Sequence, residues 1–365
     1  MTCTKLRTAI IGTGDIAKRH LDAIRNNPED YELVAACDTN EENAQRFKAL
    51  TGLERCYSSA EELLAKEELN LVQISTPPGS HVPLSIMAME AGVNVLCEKP
   101  LCGSLADLDR VNEAERRTGQ WCASVFQFRY GATTQHLKRL MKEGRLGRPL
   151  VAACHTVWYR NLEYFAVPWR GKWETELGGP TVIHGIHAMD HLLCLLGEWS
   201  EVRADCGTLD RPTEAEDVSM AIVRFANGAM ASIINSVISP RQETYLRLDY
   251  QQATAELRHL YEYTNEDWTF TPTPEAPDDL SKALADIGES NLSNHDAQLA
   301  AIALDIQAGR APETTGENAR ATIELLSAIY KSSLTGEPVR KGTITPGDPF
   351  YTAFHGGHKI THRPA

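Results

Sequence analysis

Six residues near the amino end, Gly12-Thr13-Gly14-Asp15-Ile16-Ala17, restrict this chain more than any other stretch. They follow an apolar run, Lys5–Ile11, that reads as a buried strand, and they open a helical pattern from Ile16 to Ile24. In a strand–turn–helix of the form G-x-G-x-x-A each small residue has its own task. Gly12 makes the tight turn, Gly14 admits a pyrophosphate against bare backbone, and Ala17 lets helix and strand pack closely. The helix amino terminus adds positive potential for the phosphates. Thr13, Asp15 and Ile16 complete the turn and belong to the same expected contact surface. A second apolar run, Tyr31–Cys37, ends in Asp38, 24 residues after Gly14. A carboxylate there accepts hydrogen bonds from the adenosine ribose. Thr39 and Asn40 follow with no cation for a 2′-phosphate, which favours NAD over NADP. Asp38 can also cap the helix expected from near Glu41.

The alternation of strand and helix continues. Ser59–Lys66 reads as a short helix, Leu69–Ser75 as a strand, Val82–Ala91 as a helix and Val93–Cys97 as a strand. Leu105–Thr118 is then helical, and Trp121–Phe126 is the closing strand. That order predicts a doubly wound parallel sheet, whose ligands lie beyond the carboxyl ends of its strands. Two loops reach that edge. Ser75-Thr76-Pro77-Pro78-Gly79-Ser80-His81 is made irregular by its prolines and glycine, and is expected over the cofactor through Ser75, Thr76, Pro77 and His81. Glu98-Lys99-Pro100 ends the strand Val93–Cys97 with an acid, a base and a residue that leaves the sheet. Lys99 is there either aimed at a ligand or paired with Glu98 as a surface ion pair.

Beyond residue 126 the character changes. A helix, Thr133–Glu143, is followed by strand-like runs at Leu150–Tyr159, Val202–Thr208, Val218–Phe225, Met230–Ser236, Tyr245–Tyr250 and Thr254–Leu260. Asn227-Gly228 is a hairpin signal, Thr271–Asp279 reads as an exposed loop, and Asn294–Gln307 and Asn318–Ser333 are closing helices. The expected fold is α/β in two domains. Residues 1–126 form a Rossmann dinucleotide-binding domain. Residues 127–365 form an α+β domain for substrate binding and oligomerisation, with a large, mostly antiparallel sheet and closing helices able to pack back on the first domain. Net charge is 36 − 49 = −13, which argues against a nucleic-acid partner. No apolar run approaches the roughly 20 residues that span a bilayer, so no membrane association is expected. Nine cysteines, at 3, 37, 56, 97, 102, 122, 154, 194 and 206, form no C-x-x-C pair, which points to free thiols in a reducing, cytoplasmic setting.

The other chemistry-bearing run is Gly178-Gly179-Pro180-Thr181-Val182-Ile183-His184-Gly185-Ile186-His187-Ala188-Met189-Asp190. Its two histidines and its carboxylate are spaced by three, so on one helix they share a face. His187 with a nearby carboxylate is a reasonable general base. A buried, hydrogen-bonded histidine pair is the alternative, and a His-x-x-His-x-x-Asp metal site a third that nothing else in the chain completes. Upstream, Trp169, Arg170 and Trp173, with Tyr159 nearby, offer aromatic faces and cations suited to a sugar ring. Gln127 and Arg129 begin the second domain as ligand contacts or structural ties.

Taken together, Gly12-Thr13-Gly14-Asp15-Ile16-Ala17, Asp38, Ser75-Thr76-Pro77-Pro78 with His81, Glu98-Lys99-Pro100, and Gly178-Gly179 followed by His187-Ala188-Met189-Asp190 resemble the Gfo/Idh/MocA oxidoreductases (glucose–fructose oxidoreductase and inositol dehydrogenase-like). Gly309-Arg310-Ala311-Pro312 and Glu317-Asn318-Ala319-Arg320 resemble the family's closing helices. The resemblance implies an NAD(P)-dependent dehydrogenase that oxidises a secondary hydroxyl of a sugar, cyclitol or glycoside. It implies that Lys99 hydrogen-bonds the reacting oxygen, often ahead of a cis peptide to the proline, and that His187 accepts the proton, with Asp190 and His184 in support. Gln127 and Glu98 join the expected cofactor contacts. Many members carry aspartate four residues before this histidine, and here that position is Ile183, beside His184. Two other readings keep the fold: elimination of a glycoside through transient oxidation at ring carbon 3 with bound, recycled NAD, and a non-catalytic NAD-binding regulator. A homodimer or homotetramer is expected, with Val218, Met220, Ile222, Met230, Ile233 and Val237 as apolar surface to cover.

Overall fold

The computed structural model describes residues 5–360, so Cys3 lies outside the described residues. The chain forms two compact units. The first takes the chain to Cys102, together with Ala106–Val125 and His295–Arg320; the second is Gly103–Leu105, Phe126–Asn294 and the chain from Ala321 onward.

The first unit is built on a parallel sheet. Strands β1 (Leu6–Ile11), β2 (Tyr31–Cys37), β3 (Cys56–Tyr57), β4 (Leu71–Ile74), β5 (Asn94–Cys97) and β6 (Cys122–Ser124) stand in the order β3-β2-β1-β4-β5-β6. Strand order therefore reverses between β1 and β4, the crevice where open α/β sheets bind ligands. The apolar runs are continuous because both faces are covered: β1 and β4 are buried almost throughout. Helix Ala17–Asn26 buries Ala17, His20, Leu21, Ala23 and Ile24 on one stripe. Helix Glu41–Thr51 is capped by Asn40, which accepts from the backbone N–H of Glu42 and Asn43, so Asp38 is not its cap. The helix His295–Gln307 completes this core through Leu299, Ile302 and Ala303, and the Leu299 carbonyl accepts from the Tyr31 hydroxyl at 2.9 Å. β3 has no counterpart among the expected strands; a two-residue strand is too short to show any period.

The second unit holds an eight-stranded sheet. Its strands are β7 (Pro149–Tyr159), β8 (Trp199–Gly207), β9 (Val218–Phe225), β10 (Met230–Ser236), β11 (Ile238–Tyr250), β12 (Ala253–His259), β13 (Trp268–Pro272) and β14 (Val339–Arg340). The order is β13-β12-β11-β7-β10-β9-β8-β14, antiparallel except where β7 meets β10. Thr271 and Pro272, expected in a loop, belong to the edge strand β13, which ends on the proline as an edge strand can. Asn227-Gly228 closes the β9–β10 hairpin with Gly228 at φ 88°. Along β9, Ser219, Ala221, Val223 and Phe225 are buried while Met220, Ile222 and Arg224 are exposed, so one face is packed and the other open. Helices Pro180–Ile183 and Gly185–Leu196 pack on the sheet's strands β7, β9, β10 and β11. Ile233 and Val237, expected on the open surface, lie in the core.

Candidate active site

At the reversal point of the first sheet, Gly12 has φ +90° and sits hard against the neighbouring loop. A Cβ there would lie 2.7 Å from the Thr76 methyl and 2.8 Å from the Ser75 carbonyl. The Ser75 hydroxyl donates to the Gly12 carbonyl at 2.6 Å, joining the loops after β1 and β4. Thr13 is buried and donates its N–H and hydroxyl to one Asp38 oxygen, at 2.7 and 2.9 Å, while the other accepts from Asn40 N–H. Asp38 thus braces the glycine turn from the end of β2 and remains partly exposed. Gly14 is different. A Cβ there would meet nothing within 4 Å, so the backbone is open to an approaching group at the point where the helix Ala17–Asn26 begins. Asp15 and Ile16 beside it are exposed, as is Pro77 in the loop after β4. This geometry fits a dinucleotide: bare backbone for pyrophosphate, and a carboxylate at the neighbouring strand end that would repel a 2′-phosphate.

Glu98, Lys99 and Pro100 follow β5 on the same edge, and the Lys99–Pro100 peptide is cis. Glu98 is not half of a surface pair with Lys99. It is buried, and its Oε1 lies 3.2 Å from His20 Nε2 and 3.0 Å from His295 Nε2, while Oε2 accepts the Lys99 backbone N–H at 3.1 Å. Burial alone would raise the Glu98 carboxyl, but the hydrogen bonds and charges of His20 and His295 outweigh it and hold it well below the usual carboxylate range. His81 is fully buried as well. Its two ring nitrogens lie 2.8 Å from the Pro100 carbonyl and 2.9 Å from the Thr76 carbonyl, so the ring sits between the two loops and, when neutral, donates to one of these oxygens at a time. Burial lowers its affinity for a second proton. Among the described residues, His20, Glu98 and His295 are the group with three possible metal donors close together, and none of them belongs to the His184–His187–Asp190 run.

In the second unit the chain breaks at His184, which caps the helix Gly185–Leu196 with non-helical backbone. His184 and His187 therefore do not share one helical face. The His184 ring packs edge-on to Trp158 at 4.8 Å, and the His187 ring sits 5.2 Å from Phe128 and 5.7 Å from Tyr261. Both histidines are buried to within a few per cent. Asp190 is bound on both oxygens by Arg129, at 2.6 and 2.7 Å, and Thr322 donates to it at 2.9 Å. Its charge balances a buried guanidinium, which makes it a poor candidate metal ligand. Gln127 is fully buried and donates to the Tyr261 hydroxyl at 2.7 Å.

The glycines of this run answer to packing. A Cβ on Gly178 would lie 2.5 Å from the Tyr330 hydroxyl, and one on Gly179 would lie 2.0 Å from the Glu216 carbonyl oxygen. Buried Glu216 accepts from Gly179 N–H, Thr181 N–H and the Tyr330 hydroxyl, and burial raises its carboxyl pKa despite them. Part of the upstream aromatic group gathers near His184, because Arg170 lies over Tyr164 and the Tyr164 ring stands 6.5 Å from the His184 ring. Trp173 donates to the Glu214 carbonyl and packs on Tyr330 and His355, so part of the chain's tail is anchored there. Arg170 lies over Trp169 and Tyr164 and bonds buried Glu176 at 2.7 Å. It also borders a pocket of about 390 Å³ with Phe165, Val167, Lys172, Pro212 and Glu214. Tyr159, half-exposed at the end of β7, faces the Arg211 guanidinium.

His20, His295, Trp158 and Tyr261 are not among the site residues expected from the sequence. His20 carried a signal, a polar residue on the apolar stripe Ala17–Leu21–Ile24. His295 is 197 residues from Glu98 and carried none. None of the eight described cysteines forms a disulfide, and burial pushes the thiols of Cys37 and Cys154 up to about 11 and about 12, unsuited to a nucleophile.

Residues 6–126 match the family described as "Oxidoreductase family, NAD-binding Rossmann fold", and residues 134–256 match the "GFO/IDH/MocA C-terminal domain". The chain is 27% identical to a D-apiose dehydrogenase of Paraburkholderia graminis, over 98% of this chain and 95% of that protein. It is 26% identical to a myo-inositol 2-dehydrogenase of Thermotoga maritima, over 90% and 96%. Among solved structures it resembles the WlbA dehydrogenase of Bordetella pertussis in complex with NADH and UDP-GlcNAcA, with a TM-score of 0.82, 30% identity, and coverage of 92% of this chain and 99% of that one.

Proposed function

The chain belongs to the Gfo/Idh/MocA family of NAD-binding oxidoreductases, and from that premise we propose that it oxidises a secondary hydroxyl of a sugar, cyclitol or glycoside. The observation that carries this reading is the arrangement at one sheet edge of an open Gly14 backbone, the Asp38 carboxylate and Lys99. Gly12, Gly14, Asp38, Ser75 and Thr76 would hold NAD, which when bound accepts hydride from the carbinol carbon. Lys99 supplies the cation that stabilises developing negative charge on the reacting oxygen. His187 takes the hydroxyl proton; its ring is kept in place by Phe128 and Tyr261, and Tyr261 is in turn held by Gln127. Arg129 and Asp190 lock the helix that carries His187. The relatives named for D-apiose, myo-inositol and UDP-GlcNAcA support a polyhydroxylated substrate as a class.

The test is purified protein with NAD and a panel of aldoses, pyranosides and inositols, followed by absorbance of the reduced cofactor. Turnover of one class is expected. Lys99→Met should lower kcat by about 100-fold or more, and His187→Gln by a similar order. Silence across the panel with NAD bound, and no solvent deuterium entering any glycoside, would refute the reading.

The open sheet face supports assembly of the chain with itself. Val151, Met220 and Ile222 are each more than half exposed on strands β7 and β9, with Met230 beside them on β10. Large exposed apolar side chains on one sheet face support an interface, and a second copy of this chain is the proposed occupant. Sedimentation should give a dimer or tetramer, and Met220→Asp with Ile222→Lys should shift it toward monomer. No helix among the described residues is long and apolar enough to cross a membrane.

A further inference from the structure

Three histidines that the reaction does not use converge on the turn that carries Lys99. His20 projects from the helix that starts at the dinucleotide turn, His295 opens the helix His295–Gln307, and His81 opens the helix His81–Glu90. All three are at most 5% exposed. His20 and His295 both face a single Glu98 oxygen, and Glu98 holds the Lys99 backbone N–H with the other. On the carboxyl-terminal side of Lys99, the His81 ring lies between the Pro100 and Thr76 carbonyls, with one N–H to give to either. Gln73, in β4, faces the remaining nitrogen of His20 at 2.8 Å and donates to Thr8 in β1. The residues before and after Lys99 are therefore each fixed by buried imidazoles, and the same imidazoles are attached to the helix and loop that border Gly12 and Gly14.

We propose that His20, His81 and His295 are positioning residues that clamp the Glu98-Lys99-Pro100 turn and make it one hydrogen-bonded body with the dinucleotide turn. A carboxylate as buried as Glu98 must be hydrogen-bonded to stay put, and a lysine side chain is long enough to lose its aim if the backbone beneath it drifts. Displacement of a reacting group by about 1 Å can cost 100-fold in rate. An imidazole donor at the Nε2 position is matched in reach by a glutamine amide, whereas leucine fills the space and donates nothing. The clamp rests on the reading of Lys99 as the oxygen-polarising group, and its test separates the two.

The experiment compares His295→Leu, His295→Gln and Lys99→Met in the full chain. The readouts are melting temperature, NAD affinity by calorimetry, amide hydrogen exchange of the peptide spanning Cys97–Leu101, and kcat on the best substrate of the panel above. For His295→Leu the clamp predicts at least tenfold faster exchange in that peptide, and kcat reduced by roughly 10- to 100-fold. NAD affinity should stay within about threefold of the parent. His295→Gln should restore most of both losses. His20→Leu and His20→Gln should repeat the pattern, which keeps the test intact if one leucine variant fails to fold. The proposal is overturned if His295→Leu folds with parental exchange and kcat while Lys99→Met is inactive, or if glutamine rescues neither readout at a parental melting temperature. One equivalent of zinc in the purified protein, lost in His295→Gln, would overturn it too, by making the pair metal ligands. Parental kcat in Lys99→Met would instead sink the role of the lysine, while the exchange data would still judge the hydrogen-bonded clamp.

Discussion

Replacing Gly12 and Gly14 separately by alanine divides what the fold needs from what the cofactor needs. At Gly12 two penalties add. The backbone is at φ +90°, which costs an L-residue about 1–2 kcal/mol. The new methyl would also stand 2.8 Å from the Ser75 carbonyl carbon and oxygen. That is main chain, tied to Gly12 by the Ser75 hydroxyl, so relief requires moving β4's end, at about 1–3 kcal/mol. The sum, roughly 2–5 kcal/mol, should lower the melting temperature by on the order of 5–15 °C. At Gly14 neither penalty exists: no atom lies within 4 Å of where the methyl would stand, and the backbone is not left-handed. Gly14→Ala should melt within about 2 °C of the parent, or slightly higher through reduced freedom of the unfolded chain. Its NAD dissociation constant should nevertheless rise at least about tenfold, near 1.4 kcal/mol, because the methyl occupies the approach to the pyrophosphate. Scanning calorimetry and titration calorimetry with NAD measure both. Parental NAD affinity in Gly14→Ala would refute the placement of the cofactor, and parental stability in Gly12→Ala would refute the strain argument.

Three further outcomes follow from the second unit. Gly179→Ala forces a methyl to 2.0 Å from the Glu216 carbonyl oxygen and should prevent soluble expression or cost several kcal/mol in denaturant melts. Asp190→Leu removes the carboxylate that two guanidinium nitrogens of Arg129 bond, at about 3–5 kcal/mol, while Asp190→Leu with Arg129→Met should recover most of that loss. Burial, with the Arg129 charge adding to it, pulls the His191 imidazole down to about 3 from its ordinary value near 6.5. Above pH 6.5 both folded and unfolded chains hold that ring neutral; below it only the unfolded chain takes the proton. Stability should therefore fall by about 1.4 kcal/mol per pH unit from this group as the pH drops toward 3. Denaturant melts of His191→Gln, which keeps a donor toward Thr134, should show a shallower acid slope than the parent by that amount.

Periodicity and turn chemistry determine a great deal of this protein before any folding is considered. The run Lys5–Ile11 with its glycine turn, the apolar strands Tyr31–Cys37 and Val93–Cys97, and the period-two run Val218–Phe225 each carry their conformation in local sequence, because burial on two faces or on one leaves a different pattern. The conformation of the cofactor turn is partly local, since the φ +90° at Gly12 belongs to the turn, whereas the open space at Gly14 depends on what packs around it. What only tertiary structure decided is which side chains meet. Glu98 looked like a neighbour of Lys99 and proved to be the shared acceptor of His20 and His295, and Asp190, three residues from His187, is the counter-charge of Arg129 from 61 residues away. The physical reason is that a buried polar group takes its partner from whichever element packing brings within about 3 Å, and sequence distance has no say in that.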